Sequence, residues 1–178
     1  MTATAKAKST TKPATKSAAV PKPMVKAIPD GMHSVTPYLT CDNAAAAIDF
    51  YKQAFGATET GRFAAPDGKI MNALVQIFGS AIMVMDSMPE MGALSPMGHK
   101  GSPVTIHLYV EDVDAVVARA VKAGATLKWP VADQFWGDRY GQIVDPSGHH
   151  WSVATHISDP TPAEMQDAMR KMMSAKGK

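Results

Sequence analysis

The sequence predicts an α+β fold of two tandem βαβββ modules, preceded by a disordered tail and followed by a C-terminal helix. Two observations carry this reading. Thr36-Pro37-Tyr38-Leu39-Thr40 leads into an alanine-rich helical pattern that ends at Gly56-Ala57-Thr58, and Thr105-Ile106-His107-Leu108-Tyr109 leads into a second that ends at Gly124-Ala125-Thr126. The first elements are 69 residues apart and the glycines 68. After each copy come short apolar runs punctuated by Gly and Pro-Asp turn chemistry. A tandem of this kind builds a cleft between paired sheets, where a ligand is expected.

Each element has a local reason. Val35 to Thr40 reads as a strand, with Pro37 favouring an edge or a strand start because it removes a ladder donor. Asp42 or Asn43 can cap the next helix, whose Ala47, Ile48, Tyr51, Ala54 and Phe55 recur at helical spacing, and Gly56 stops it. In the second copy Asp112 caps, Val113, Val116, Val117, Ala120 and Val121 form one stripe, and Gly124 ends the helix. Pro66-Asp67-Gly68 is a turn. Ile70 to Phe78 and Ala81 to Met85 flank Gly79-Ser80, read as a type II′ hairpin turn. Asp133 to Tyr140 reads as a loop or strand end, and Gln142 to Val144 and His150 to Thr155 as strands around Asp145-Pro146-Ser147-Gly148. Thr161-Pro162-Ala163-Glu164 is a capping box opening a helix with a stripe of Met165, Ala168, Met169 and Met172, expected to pack on its own domain or on a partner subunit.

Composition sets the frame. With 178 residues, 46% of them apolar, the chain can bury one sizeable core or two small ones. No apolar run approaches the roughly 18 residues that span a bilayer, so no membrane association is expected. Residues 1–28 are dominated by Ala, Thr, Ser, Pro and six lysines, with no acid, a segment too polar to offset its ordering entropy. Pro21 and Pro23 interrupt the one candidate for a secretion-signal core. Taking the tail's +6 from the chain's +2 leaves residues 29–178 at about −4. Lysines without interleaved aromatics or a basic fold face do not argue for nucleic acid. A lone Cys41 rules out an intramolecular disulfide and fits a reducing cytosol. The organisation expected is a tail over 1–28, a domain over 32–157 (modules 32–88 and 104–157 joined by a Pro/Gly linker over 89–103), and a helical segment over 158–178.

The chain resembles the vicinal oxygen chelate superfamily, the glyoxalase, bleomycin-resistance and extradiol-dioxygenase group, and within it the PhnB-like branch. The resemblance rests on Thr36 to Leu39, Ala47 to Ala57, Pro66 to Met71, Ile106 to Asp114, Asp133 to Arg139 and Asp145 to Trp151, and covers residues 32–157. It implies the paired-module fold and, in metal-using members, one ligand on the first and last strand of each module. The aligned positions here are Thr36, Thr105 and Ser152, with Val84 as the fourth and Asp86 the nearest carboxylate. Hydroxyls and an aliphatic do not hold a first-row divalent cation, so no metal and no cofactor is expected. His107 and His150 keep the right strand faces, but their expected offset of four residues, roughly 13 Å, would keep them from sharing one ion. Relatives often carry His and Glu where this chain has Asn72 and Leu74.

Two functions compete. The first is a binding module for a small, aromatic or anionic molecule, with Tyr38, His107, Phe135 and Trp136 as walls and anchors and Arg139 as a fork for a carboxylate or phosphate. Phe135-Trp136 can equally seal a subunit interface. The alternative is a divalent-metal lyase, isomerase or dioxygenase, for which no catalytic set is legible and His107 is the general acid–base candidate. A homodimer pairing modules from two chains is expected, because each sheet presents an apolar face too large to leave exposed.

Overall fold

The computed structural model describes residues 25–176; the expected disordered tail, up to residue 24, lies outside them. The elements run β1 (Tyr38–Cys41), α1 (Ala44–Phe55), β2 (Thr58–Ala64), β3 (Ile70–Ile77), β4 (Ser80–Asp86), β5 (Thr105–Tyr109), α2 (Val113–Lys122), β6 (Thr126–Asp133), β7 (Asp138–Val144), β8 (His150–His156) and α3 (Pro162–Lys176). They form two four-stranded sheets, ordered β1-β4-β3-β2 and β5-β8-β7-β6. In each sheet the first and last strands are parallel and the other pairs antiparallel. This is the tandem βαβββ fold. Among the described residues no helix is long and apolar enough to cross a membrane.

The repeat extends to individual hydrogen bonds. Asn43 caps α1 by accepting from Ala46 N at 3.0 Å, and Asp112 caps α2 by accepting from Ala115 N at 2.9 Å. The next orphan donor of each helix goes to the end of the module's last strand. Asp86 Oδ1 accepts from Ala44 N at 2.7 Å, and Thr155 Oγ1 accepts from Val113 N at 2.9 Å. Asp86 and Thr155 are again 69 residues apart.

Each helix covers one face of its own sheet, and the two helices pack on each other. One core therefore runs through both modules. Ile48, Tyr51, Ala54 and Phe55 of α1 meet Val113, Val116, Val117 and Ala120 of α2, with Trp151 fully buried among them. Trp151 lies 5.5 Å from the Tyr51 ring and 5.0 Å from Phe55, centroid to centroid. Burying each large aliphatic or Phe side chain here is worth roughly 1.5–3 kcal/mol. Polar ties reinforce the junction. Tyr51 donates to Asp145 Oδ2 at 2.8 Å, Arg119 Nε donates to Ala54 O at 3.3 Å, and His149 Nε2 bonds Thr40 O at 3.0 Å. Burial and the neighbouring Asp145 carboxylate push the Tyr51 phenol well above its ordinary value, so it stays a donor.

Several local expectations shift. Val35 is exposed and outside β1, which starts at Tyr38; Pro37 contributes only its carbonyl, which accepts from Met83 N. The β3–β4 turn is one residue earlier than expected. Ile77 pairs with Ser80, leaving Phe78-Gly79 as the two-residue loop with φ of 46° and 79°. Positive φ at both central residues makes this a type I′ geometry rather than II′. The stretch from Asp138, expected as loop or strand end, is already strand β7. The linker is not a free spacer: a 3-10 turn at Pro89–Met91 and a Met88–Ala93 bridge fold its first part, and Ser95 is fully buried.

Candidate functional site

Alternation along the strands sorts every side chain to a helix face or an open face. In the second sheet the open face carries Thr105, His107 and Tyr109 of β5, His150, Ser152 and His156 of β8, and Asp138, Tyr140 and Gln142 of β7. The cross-strand pairings are His107–Ser152–Gln142 and Tyr109–Ala154–Tyr140. In the first sheet it carries Tyr38, Thr40, Asn72 and Met83.

A cavity of about 1070 Å³ opens between β1 and β5, the first strands of the two modules. Tyr38 and Thr40 line it from one side, Thr105 and His107 from the other, and His99 of the linker and His149 close it. None of its lining residues is Asp, Glu, Lys or Arg. Tyr38 OH donates to Met71 O at 2.9 Å, which fixes its ring. His107 Nδ1 bonds Ser152 Oγ at 2.7 Å, and Nε2 has no hydrogen-bond partner among the described residues. Two of the sequence-predicted residues, Tyr38 and His107, thus come together from different modules.

Beyond His107 a row of rings continues over the open face. His107 lies nearly parallel to Tyr140, 6.2 Å between centroids, and stands edge-on to Tyr109 at 4.6 Å. Tyr140 in turn meets Trp136 at 5.6 Å and Trp129 at 6.2 Å. The row is organised by Asp138, a buried carboxylate that sequence reasoning missed. Its Oδ2 accepts from Trp136 Nε1 at 3.0 Å and from Tyr109 OH at 3.2 Å, and its Oδ1 holds His156 Nδ1 at 2.9 Å. His156 Nε2 bonds Asp159 at 3.1 Å. Held between Asp138 and Asp159, the imidazole is pushed above its ordinary pKa. The missed signal was the alternation Asp138, Tyr140, Gln142, which becomes readable once this stretch is taken as strand.

The other expected ligand contacts separate. Phe135 stands edge-on to Trp136, 5.1 Å between centroids, and also lines a groove against α3 with Met165 and Met169. Arg139 lies elsewhere. One residue from Asp138 and Tyr140, it faces the helix side of β7, where it grips Asp114 of α2 through Nε and Nη2 at 2.6 and 2.8 Å and Asp133 through Nη1 at 2.8 Å. Its fork is already occupied and points away from the open face.

The aligned metal positions also move. Val84 is fully buried on the helix face, so Met83 is the open-face neighbour on β4. Thr36 precedes β1 and bonds His33 O. Both oxygens of Asp86 are committed, Oδ1 to Ala44 N and Oδ2 to Ile70 N at 2.6 Å. The expected four-residue offset of His107 and His150 is corrected to two, because Thr105 pairs with His150 and His107 with Ser152. An offset of four would require Thr105 opposite Ser152, which the register does not give. Among the described residues no three His, Cys, Asp or Glu side chains gather into a group that could hold a metal ion.

Two tandem βαβββ modules with a cavity at their seam define the class, and the comparisons agree. Residues 31–153 match the model of the Glyoxalase/Bleomycin resistance protein/Dioxygenase superfamily, and the chain belongs to that family. It is 47% identical over 139 residues to the uncharacterized protein Rv0887c of Mycobacterium tuberculosis, covering 76% of this chain and 82% of that one. The X-ray structure of the Arabidopsis thaliana At5g48480 gene product is similar with a TM-score of 0.55 at 29% identity, covering 69% of this chain and 98% of that one. The crystal structure of TioX from Micromonospora sp. ML1 gives 0.55 at 26% identity, covering 68% and 97%.

Proposed function

We propose that the protein binds a flat, uncharged, hydrogen-bonding aromatic molecule at the seam between β1 and β5, without a resident metal. The observation that carries this is the cavity's lining: Tyr38 and His107 from opposite modules, hydroxyls and imidazoles around them, and no Asp, Glu, Lys or Arg. A lining without carboxylate, ammonium or guanidinium partners favours a ligand that brings no formal charge to be desolvated. With Arg139 committed on the far side of β7, the anionic ligand first expected loses its anchor. The row His107, Tyr140, Trp136 gives a longer ligand a surface on which to stack.

The donor set supports the metal-free reading. Thr36, Thr105, Ser152 and Met83 offer hydroxyls and a thioether, and Asp86 has no free oxygen, so these positions do not fit a cation that wants imidazole and carboxylate. Membership of the PhnB-like branch is part of the same reading. It is supported by the motifs quoted above and by the shared fold of a PhnB protein from Bacillus cereus, at 16% identity. A cytosolic location suits the single buried Cys41.

A homodimer completes the reading. The open faces carry Phe63, Tyr109 and Trp129 at 69%, 61% and 52% exposure, and a second copy laid over them would enclose the cavity. The test is a fluorescence titration with neutral, anionic and cationic hydroxyaromatic compounds. The neutral set should bind best and lose at least about tenfold in Tyr38→Ala, the scale of one lost aromatic contact. Preference for the anionic set, or affinity indifferent to both Tyr38→Ala and His107→Ala, would overturn the assignment.

A further inference from the structure

The modules meet at two equivalent junctions, and the repeat fills only one of them. At the first, the β7–β8 turn closes on β1: His149 Nε2 bonds Thr40 O at 3.0 Å, and Asp145 accepts from Tyr51 OH at 2.8 Å. At the second, the β3–β4 turn approaches the end of β5 and the start of α2. A step of 69 residues carries Thr40 to Tyr109 and Phe50 to Arg119 and, in reverse, His149 to Ser80. Ser80 is exposed and too short to stand in for an imidazole, and an exposed arginine replaces a buried phenylalanine. A cavity of about 810 Å³ remains there, lined by Phe78, Tyr109, Glu111, Val116 and Arg119 among others.

Several groups facing this cavity are unused. Val110 N donates to Ala154 O in the β5–β8 ladder at 2.8 Å, so the carbonyl of Tyr109, one residue earlier, points to the free edge of β5. In the counterpart Thr40, that carbonyl is the one His149 binds. Arg119 commits Nε to Ala54 O at 3.3 Å, while its two Nη groups and the Glu111 carboxylate have no partner among the described residues. Phe78 stands at a φ of 46°, in a turn whose geometry favours Asn. A bulky residue at positive φ is strained, and such strain gathers at binding sites. The other polar side chains of the lining are engaged: Asp112 and Thr155 cap α2, Tyr109 OH donates to Asp138, and His156 is held by Asp138 and Asp159.

We propose that this second cavity binds an α-amino acid with an apolar or aromatic side chain. The ligand's carboxylate takes the Arg119 Nη groups, its ammonium donates to the Tyr109 carbonyl and the Glu111 carboxylate, and its side chain covers Phe78 and Val116. Opposite charges on the two sides select a zwitterion, because a simple anion would leave Glu111 unpaired and a simple cation would leave Arg119 unpaired. The ammonium does at the second junction what the His149 imidazole does at the first. The site is separate from the seam: that cavity reaches β5 through Thr105 to His107, and this one starts at Tyr109.

The test is an amide NMR titration of the full chain with L-phenylalanine, 3-phenylpropanoate and 2-phenylethylamine, the last two lacking the ammonium and the carboxylate in turn. L-Phenylalanine should bind with a Kd of about 1 mM or tighter, and each control at least about tenfold more weakly. The shifted amides should lie from Glu111 to Arg119 and around Phe78, and not from Tyr38 to Thr40, which separates this outcome from binding in the seam. Arg119→Gln should weaken binding about tenfold. Phe78→Asn should weaken it severalfold while Tm stays equal or rises, because Asn-Gly is the pair this turn prefers. No shift up to about 20 mM L-phenylalanine, shifts confined to Tyr38 to Thr40, equal binding of either control, or affinity indifferent to both substitutions overturns the proposal.

Discussion

Removing one oxygen, the Tyr51 hydroxyl, should weaken the whole domain and not only the first module. Tyr51 stands on α1 but donates to Asp145, in the turn between β7 and β8, at 2.8 Å. Tyr51→Phe keeps the ring against Trp151 and Phe55. The hydrogen bond goes to a charged acceptor, which is worth about 1.5–3 kcal/mol. Asp145 is not orphaned by the change. Oδ2 still accepts from Trp151 Nε1 at 2.9 Å, and Oδ1 from Ser147 N and His149 N at 2.9 Å each. The loss should therefore fall at the lower end, about 1–2 kcal/mol. For a chain of this size that is a drop in Tm of roughly 3–8 °C. Urea unfolding followed by both Trp fluorescence and far-UV circular dichroism measures it. One coincident transition, shifted as a whole, is the expected result. A loss under about 0.5 kcal/mol would refute the hydrogen-bond argument. Two transitions with only one displaced would refute the shared core.

Three further outcomes follow from the same geometry. Arg139→Lys should leave ligand affinity unchanged, because the guanidinium spends its fork on Asp114 and Asp133 behind the sheet; a tenfold loss in the titration would return it to the site. The Cys41 thiol, pushed up to about 12 chiefly by burial, should resist alkylation at pH 8 in the folded protein and react promptly in urea. His156 has its folded pKa raised by Asp138 and then Asp159, so its stabilising contribution is complete below its unfolded pKa and lost as pH rises through the folded one. The gap between urea midpoints of the native protein and His156→Gln should therefore close from mildly acidic to alkaline pH, and a gap that widens would reverse the assignment.

The sequence by itself determined what depends on near neighbours. The 69-residue repeat, both helices, the Asn43 and Asp112 caps and the capping box before α3 rest on contacts within a few residues, and they stand where local chemistry puts them. What only the tertiary structure decided is which face a side chain takes and what comes to meet it. A shift of one residue in reading a strand reverses its faces. Taking Asp133 to Tyr140 as loop left Arg139 free to join the site, whereas β7 turns it to the helices and brings Asp138 and Tyr140 forward. The parallel register halves the expected offset between His107 and His150. Val84 falls to the core by a one-residue difference, with Met83 taking the open face. The seam between β1 and β5 and the bond from Tyr51 to Asp145 join residues from different modules, so no short-range pattern records them. They follow from the docking of α1 on α2, which joins the apolar faces of both modules into one core.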